Sequence, residues 1–153
     1  MPFAMHRRRL LTIGVGAAVA TAWMGSPRPA FAAKNDAEEL IKKFTGGKTA
    51  TEGRVRLDLP EIAENGNTVP FTITVDSPMT DKDHVKAIHI IATSNPQPGV
   101  ATFRLSPISG KAAVASRMRL QRTQDVIGIA ELSDGRFLMT KRPVKVTIGG
   151  CGG

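Results

Sequence analysis

Tyrosine is absent from this 153-residue chain, tryptophan and cysteine occur once each, and histidine three times. Each shortage excludes something. With 5% aromatics and its one tryptophan, Trp23, in the amino-terminal segment, the chain lacks the stacking side chains of single-strand nucleic-acid binders, so no nucleic-acid partner is expected. A single cysteine permits no internal disulfide. Closed zinc sites use four ligands in short paired motifs, which His84, His89 and the distant Cys151 do not supply, so no metal is expected and both histidines read as structural. His6 falls in the amino-terminal segment. No nucleophile elbow, phosphate loop or dinucleotide fingerprint occurs, and the scattered carboxylates form no identifiable acid and base pair. The apolar run 10–24 has 15 residues, short of the roughly 18 of a spanning helix, so no membrane partner is expected.

That run has the layout of an export signal. Arg7, Arg8 and Arg9 precede Leu10 and Leu11, and Ala30, Phe31 and Ala32 fit the A-x-A cleavage pattern, which puts the cut after Ala32. The arginines resemble a twin-arginine signal, and Thr12, Gly14 and Gly16 keep the apolar section weakly hydrophobic. Such a signal implies export to the periplasm of a chain already folded, alone or with a partner. Losing residues 1–32 removes four basic and no acidic residues, leaving 17 against 13, so the net charge falls from +8 to +4. A modest positive charge suits anionic small molecules and acidic partner faces alike. The remaining 121 residues suffice for one domain, and no internal repeat is present.

Within "NDAEELIKKFTGG", Ala37, Leu40, Ile41 and Phe44 recur at helical spacing, and Asp36 with Glu39 forms a candidate capping box. Gly46 and Gly47 end the predicted helix, and Lys42 and Lys43 complement its dipole. After Gly53 the apolar period drops to two. "RVRLDL" and residues 69–75 alternate, and further strands are predicted at 85–92, 101–106, 113–120, 126–132, 137–139 and 144–148. Turn clusters such as "ENGN", "TSNPQPG", "SDGR" and "TKRP" separate them. The expectation is an all-β fold, an immunoglobulin-like β-sandwich of seven or eight short strands with a short N-terminal helix; a small closed barrel is the alternative. The domains are expected as 1–32 signal, 33–148 helix plus sandwich, and 149–153 a flexible carboxy-terminal arm.

Cys151 lies between two glycine pairs, Gly149 and Gly150 before it and Gly152 and Gly153 after it, with no apolar residue beyond Ile148 to hold the segment down. A glycine arm is thin as well as pliable, and at about 3.3–3.6 Å per extended residue it projects the sulfur about 10 Å beyond the last strand. No His, Lys or Arg follows Lys145 to activate the thiol, whose ordinary pKa of about 8.5 leaves a few percent thiolate near neutrality. A base and an electropositive pocket are therefore expected from a partner. An intermolecular disulfide at Cys151, including a disulfide-linked homodimer or a crosslinked periplasmic adaptor, is the alternative use. Arg117, Arg119 and Arg122 in "SRMRLQR" read as a solvated strand face, with a docking patch as the other possibility.

The twin-arginine signal, "AEELIKKFTGG", the β-rich body and above all Gly149-Gly150-Cys151-Gly152-Gly153 together resemble the SoxY family, the sulfur-carrier subunits of the bacterial Sox thiosulfate-oxidation system. The resemblance implies a non-catalytic, cofactor-free protein that pairs with SoxZ as a heterodimer and carries inorganic sulfur covalently on Cys151. It further implies transient docking with SoxAX, a haem enzyme that joins thiosulfate to the thiol, with SoxB, a metallohydrolase that releases sulfate, and with a molybdenum-containing sulfane dehydrogenase. A terminal Gly-Gly is also the site of thiocarboxylate activation in ubiquitin-like sulfur carriers, but that chemistry consumes ATP in the cytoplasm, and the export signal argues against it.

Overall fold

The predicted helix forms over Ala37–Thr45 (α1) in the computed structural model, which describes residues 36–150. Glu38 and Glu39 occupy its first turn and Lys42 and Lys43 its last, the arrangement that complements the helix dipole. Gly46 ends it with φ of 60°, a left-handed conformation in which its N–H and that of Gly47 both reach the Lys42 carbonyl. The start differs from expectation. Asp36 stands at the cap position but makes no side-chain capping bond, because its ψ of 15° is close to helical rather than the extended value that brings a carboxylate over the first turn.

Nine strands follow among the described residues: β1 Ala50–Glu52, β2 Val55–Asp58, β3 Ile62–Asn65, β4 Val69–Val75, β5 Val85–Ala92, β6 Gly99–Arg104, β7 Ala112–Met118, β8 Gln124–Leu132 and β9 Phe137–Ile148. Strands β2, β4 and β7 form one antiparallel sheet with β4 central. The other runs β6-β5-β8-β9 antiparallel, and β1 and β3 attach in succession to the outer edge of β9 in parallel. The two sheets face each other as an immunoglobulin-like sandwich.

Between the sheets lie Leu57, Val69, Phe71 and Ile73 from one side and Ile88, Ile90, Val126 and Val144 from the other. The alternation of β4, with every second residue buried, follows from its having one covered face. Strands β5 and β8 are buried almost throughout, since Ala37, Leu40, Ile41 and Phe44 of α1 cover their second face and meet Ile91, Ile127, Ile129 and Phe137. Each fully buried Ile or Leu contributes on the order of 2 kcal/mol. Gly128 in β8 leaves room for Ile73 of the facing sheet, whose Cδ1 would lie 2.5 Å from an added Cβ.

Two strand expectations are corrected. "TKRP" is no turn: Thr140–Pro143 continue one twelve-residue β9, with Pro143 opposite Asp125. Proline is tolerated there because β1 ends opposite Met139 and β3 begins opposite Lys145, so the outer edge of β9 between them carries no strand that would need its missing N–H. The strands β1 and β3 are additional to those expected. They bury little, Ala63 being the one buried residue of β3 and Ile62 standing 57% exposed, so neither shows an alternating pattern.

Candidate functional site

The segment carrying the predicted site begins where β9 ends. Cys151, Gly152 and Gly153 lie outside the described residues, as does the proposed export signal at 1–32; Gly149 and Gly150 are described, and they lie against the body. The Gly66 N–H donates to the Ile148 carbonyl at 2.8 Å, the Leu120 N–H to the Gly66 carbonyl at 2.8 Å, and the Gly150 N–H to the Leu120 carbonyl at 2.9 Å. Gly150 is buried. The first two residues of the arm expected to be pliable from Gly149 onward thus lie against the body, and the contact is made by backbone bonds rather than by apolar side chains.

Three glycines make this junction possible. A Cβ on Gly66 would fall 2.6 Å from the Gly150 nitrogen and collide with the Leu120 carbonyl; one on Gly149 would collide with the Gln121 carbonyl; and one on Gly150 would lie 2.8 Å from the Gly66 carbonyl. All of these obstacles are backbone atoms, which cannot swing aside as a side-chain tip can. Gly66 signals only a turn in "ENGN", and nothing local to it foretells that the distant end of β9 closes on it.

The surface the tail packs against is braced from behind. Asn95 Nδ2 donates to the Arg119 carbonyl at 2.8 Å, while Asn95 Oδ1 accepts from the Gln121 N–H at 3.0 Å and from Gln124 Nε2 at 2.8 Å. Thr123 Oγ1 accepts from the Val146 N–H at 3.0 Å, tying β9 to the same segment just before it ends. Gln121 Oε1 is buried there with no hydrogen-bond partner among the described residues. Arg119 and Arg122 bracket Leu120 and Gln121, and both are exposed, as is Arg117 on β7; Met118 and Leu120 are buried, as the strand-face reading expected.

The histidines are occupied structurally. His89 of β5 is buried, stacks on Phe44 with ring centroids 4.0 Å apart, and pairs through Nδ1 with Thr102 Oγ1 at 3.0 Å. Burial holds it below the ordinary histidine pKa; Glu131 opposes that shift and Arg104 adds to it. His84 Nδ1 lies 3.0 Å from the Thr80 carbonyl in the turn before β5. Among the described residues no group of three or more His, Cys, Asp or Glu is placed to hold a metal ion, and no helix is long and apolar enough to cross a membrane. A groove lined by Arg54, Arg56, Asp76 and Lys111 crosses the three-stranded sheet at the end where Val55, Val75 and Ala112 pair. The tail meets the body at the opposite end of that sheet, beyond the Val69 and Met118 pair, so the groove and the tail root are separate features.

Comparison with known proteins gives a consistent result. The family model described as sulfur oxidation protein SoxY matches residues 41–151. Among solved structures, the sulfur carrier protein SoxY from Chlorobium limicola f thiosulfatophilum is similar at 31% identity and a TM-score of 0.61, over 72% of this chain and 96% of that one. Superoxide reductases share the fold alone: the neelaredoxin from Ignicoccus hospitalis at 12% identity and TM-score 0.55, covering 61% of this chain and 80% of that one, and the enzyme from Nanoarchaeum equitans at 12% and 0.54, covering 63% and 100%. No curated protein sequence matches the chain.

Proposed function

The chain belongs to the SoxY family of sulfur oxidation proteins, and from that premise we propose that it is a non-catalytic sulfur carrier of the Sox system, holding thiosulfate-derived sulfur covalently on Cys151. One observation carries the reading. The described body ends in a fastened Gly150, and the chain's only cysteine is the next residue, followed by two glycines. A thiol so placed follows directly on the folded body and has no side chain of its own segment to activate it.

The chemistry then falls to partners. Joining the Cys151 thiolate to the outer sulfur of thiosulfate forms an S–S bond and releases two electrons, which a redox partner of the SoxAX kind accepts. Hydrolysis of the terminal sulfonate as sulfate, the SoxB reaction, leaves a persulfide on Cys151, which a sulfane dehydrogenase oxidises further. SoxZ completes a heterodimer. The carrier works in the periplasm, reached by twin-arginine export of a chain whose residues 1–32 are removed, and needs no resident cofactor. Residues 33–148 form the supporting domain and 149–153 the carrier arm.

The test is the intact mass of the chain from cells grown on thiosulfate, with and without reductant. A reductant-labile adduct on the terminal peptide is expected, and Cys151→Ser should fold and pair normally yet abolish thiosulfate oxidation. Retained oxidation in that strain overturns the proposal, and a thiol-dependent homodimer bearing no sulfur would instead support the crosslinked adaptor. Whether the arm must thread narrow enzyme channels is tested at Gly152 rather than Gly150, because a side chain at Gly150 meets the Gly66 carbonyl and disturbs the anchorage itself. A bulky residue at Gly152 should slow every handover; unchanged turnover would show that the arm threads no narrow channel.

A further inference from the structure

We infer that Gly66 and the Leu120–Gln121 segment are positioning elements of the carrier arm, forming a backbone latch that sets where the arm leaves the body and how far Cys151 can reach. The inference rests on Cys151 being the reacting group, as proposed above, but the latch itself stands on described atoms. Its three hydrogen bonds run in series from the Ile148 carbonyl through Gly66 and Leu120 to the Gly150 N–H. Its platform exists independently of the tail, since the Asn95 side chain holds the Arg119 carbonyl and the Gln121 N–H from the other side.

Two properties make this junction a latch rather than part of the core. Among the described residues past Val146 the tail buries no large side chain: Thr147 is exposed, Ile148 is 67% exposed, and Gly149 and Gly150 have none. Release therefore exposes almost no apolar surface and can occur while the sandwich stays folded. The fit is also intolerant, because each glycine faces backbone atoms at distances that no Cβ allows. Closed, the latch holds the root of the arm at Gly150 against the Leu120 carbonyl. Open, it frees Gly149 and Gly150, adding two residues, about 7 Å, to the reach of the thiol. A carrier that serves several enzymes gains a defined resting position and a longer reach from the same five residues.

The glycines of the motif consequently divide by role. Gly149 and Gly150 are small because they must lie against Gly66 and Gln121, whereas the latch makes no demand on Gly152 and Gly153.

The intact chain with reduced Cys151 provides the test. In the wild type, amide-proton exchange at Gly150 should be slowed about tenfold or more against the unstructured value, and Gly66→Ala should remove that protection while the sandwich amides keep theirs. The same variant should raise the rate of Cys151 with a bulky polyethylene-glycol maleimide relative to iodoacetamide about threefold, because two more residues of tether become available. Gly128→Ala, which strains the core against Ile73 instead, should change neither readout. If Gly66→Ala fails to fold, Gly149→Ala opens the latch from the other side by colliding with the Gln121 carbonyl. An unprotected Gly150 amide in the wild type overturns the latch, and so does a reagent ratio that stays fixed when protection is lost. The exchange measurement is blind to sulfur transfer, so loss of the carrier reading through Cys151→Ser would leave it standing, and an unprotected Gly150 would leave the carrier reading standing.

Discussion

The two ends of β9 are held in different ways. At Phe137, Leu138 and Val144 the strand is pinned by buried side chains between α1, β8 and the facing sheet. From Thr147 to Gly150 the side chains are exposed or absent, and hydrogen bonds to Gly66 and Leu120 hold the chain. Buried side chains contribute about 1.5–3 kcal/mol each and backbone hydrogen bonds about 0.5–1.5. One strand thus joins a region whose loss unfolds the protein to one that can open by itself, which is the combination a carrier needs: a stable support and a separable tip.

The largest effect should come from cutting the first kind of hold. Ile73→Ala leaves a cavity opposite Gly128 and should destabilise the sandwich by about 2–5 kcal/mol in urea titration. Exchange at the Gly150 amide should not follow, because its opening does not pass through global unfolding. If it rises in proportion, the tail root and the core are one cooperative unit and the contrast between the ends of β9 fails.

Next comes the helix layer. Phe44→Ala removes the ring stacked on His89 and part of the cover over Ile91 and Ile129, at a cost of about 1–3 kcal/mol, with no change in thiol reactivity at Cys151. A smaller, pH-dependent loss belongs to the same contact. His89 has a folded-state pKa below its unfolded value of about 6.5, so the unfolded chain takes up the proton first as pH falls. The stability held above that value is lost progressively as pH falls below it, toward the depressed folded pKa. Urea midpoints from pH 8 to pH 5 should show the decline, and His89→Gln should flatten it; an unchanged slope would assign the loss to other groups.

Much of the body was legible because its physics is local. Helical spacing in "AEELIKKF" and alternation in "VPFTITV" report one covered face each, and the glycines after Thr45 report a left-handed stop. Long β9 was not legible. Pro143 looks like a terminator until the gap between β1 and β3 is known, and β1 and β3 themselves attach at an edge where little is buried. The capping box at Asp36 failed because residue type permits a cap but backbone angles decide it. At the candidate site, the cysteine and its glycines are visible as a motif, and the sequence gives the glycines a reason in thinness and pliability. The second purpose, close approach to Gly66 and Gln121, depends on contacts far apart in sequence that no periodicity carries.

The smallest expected effect lies where the two regions touch. Gln121 Oε1 is buried without a donor among the described residues, and a buried oxygen left unpaired costs stability. Methionine has nearly the same length and no polar tip. Gln121→Met should therefore stabilise the chain by about 0.5–1 kcal/mol while the Gln121 N–H keeps its bond to Asn95 Oδ1, in which Gln121 takes part through its backbone alone. The Gly149 contact is likewise to the Gln121 carbonyl and not to its side chain, so protection at Gly150 should be retained. Stabilisation with unchanged Gly150 exchange would place the orphaned oxygen on the body side of the divide. Loss of Gly150 protection in this variant would mean that the side chain, and not the backbone platform, governs the tail, and the boundary between the two kinds of hold would have to be redrawn through Gln121.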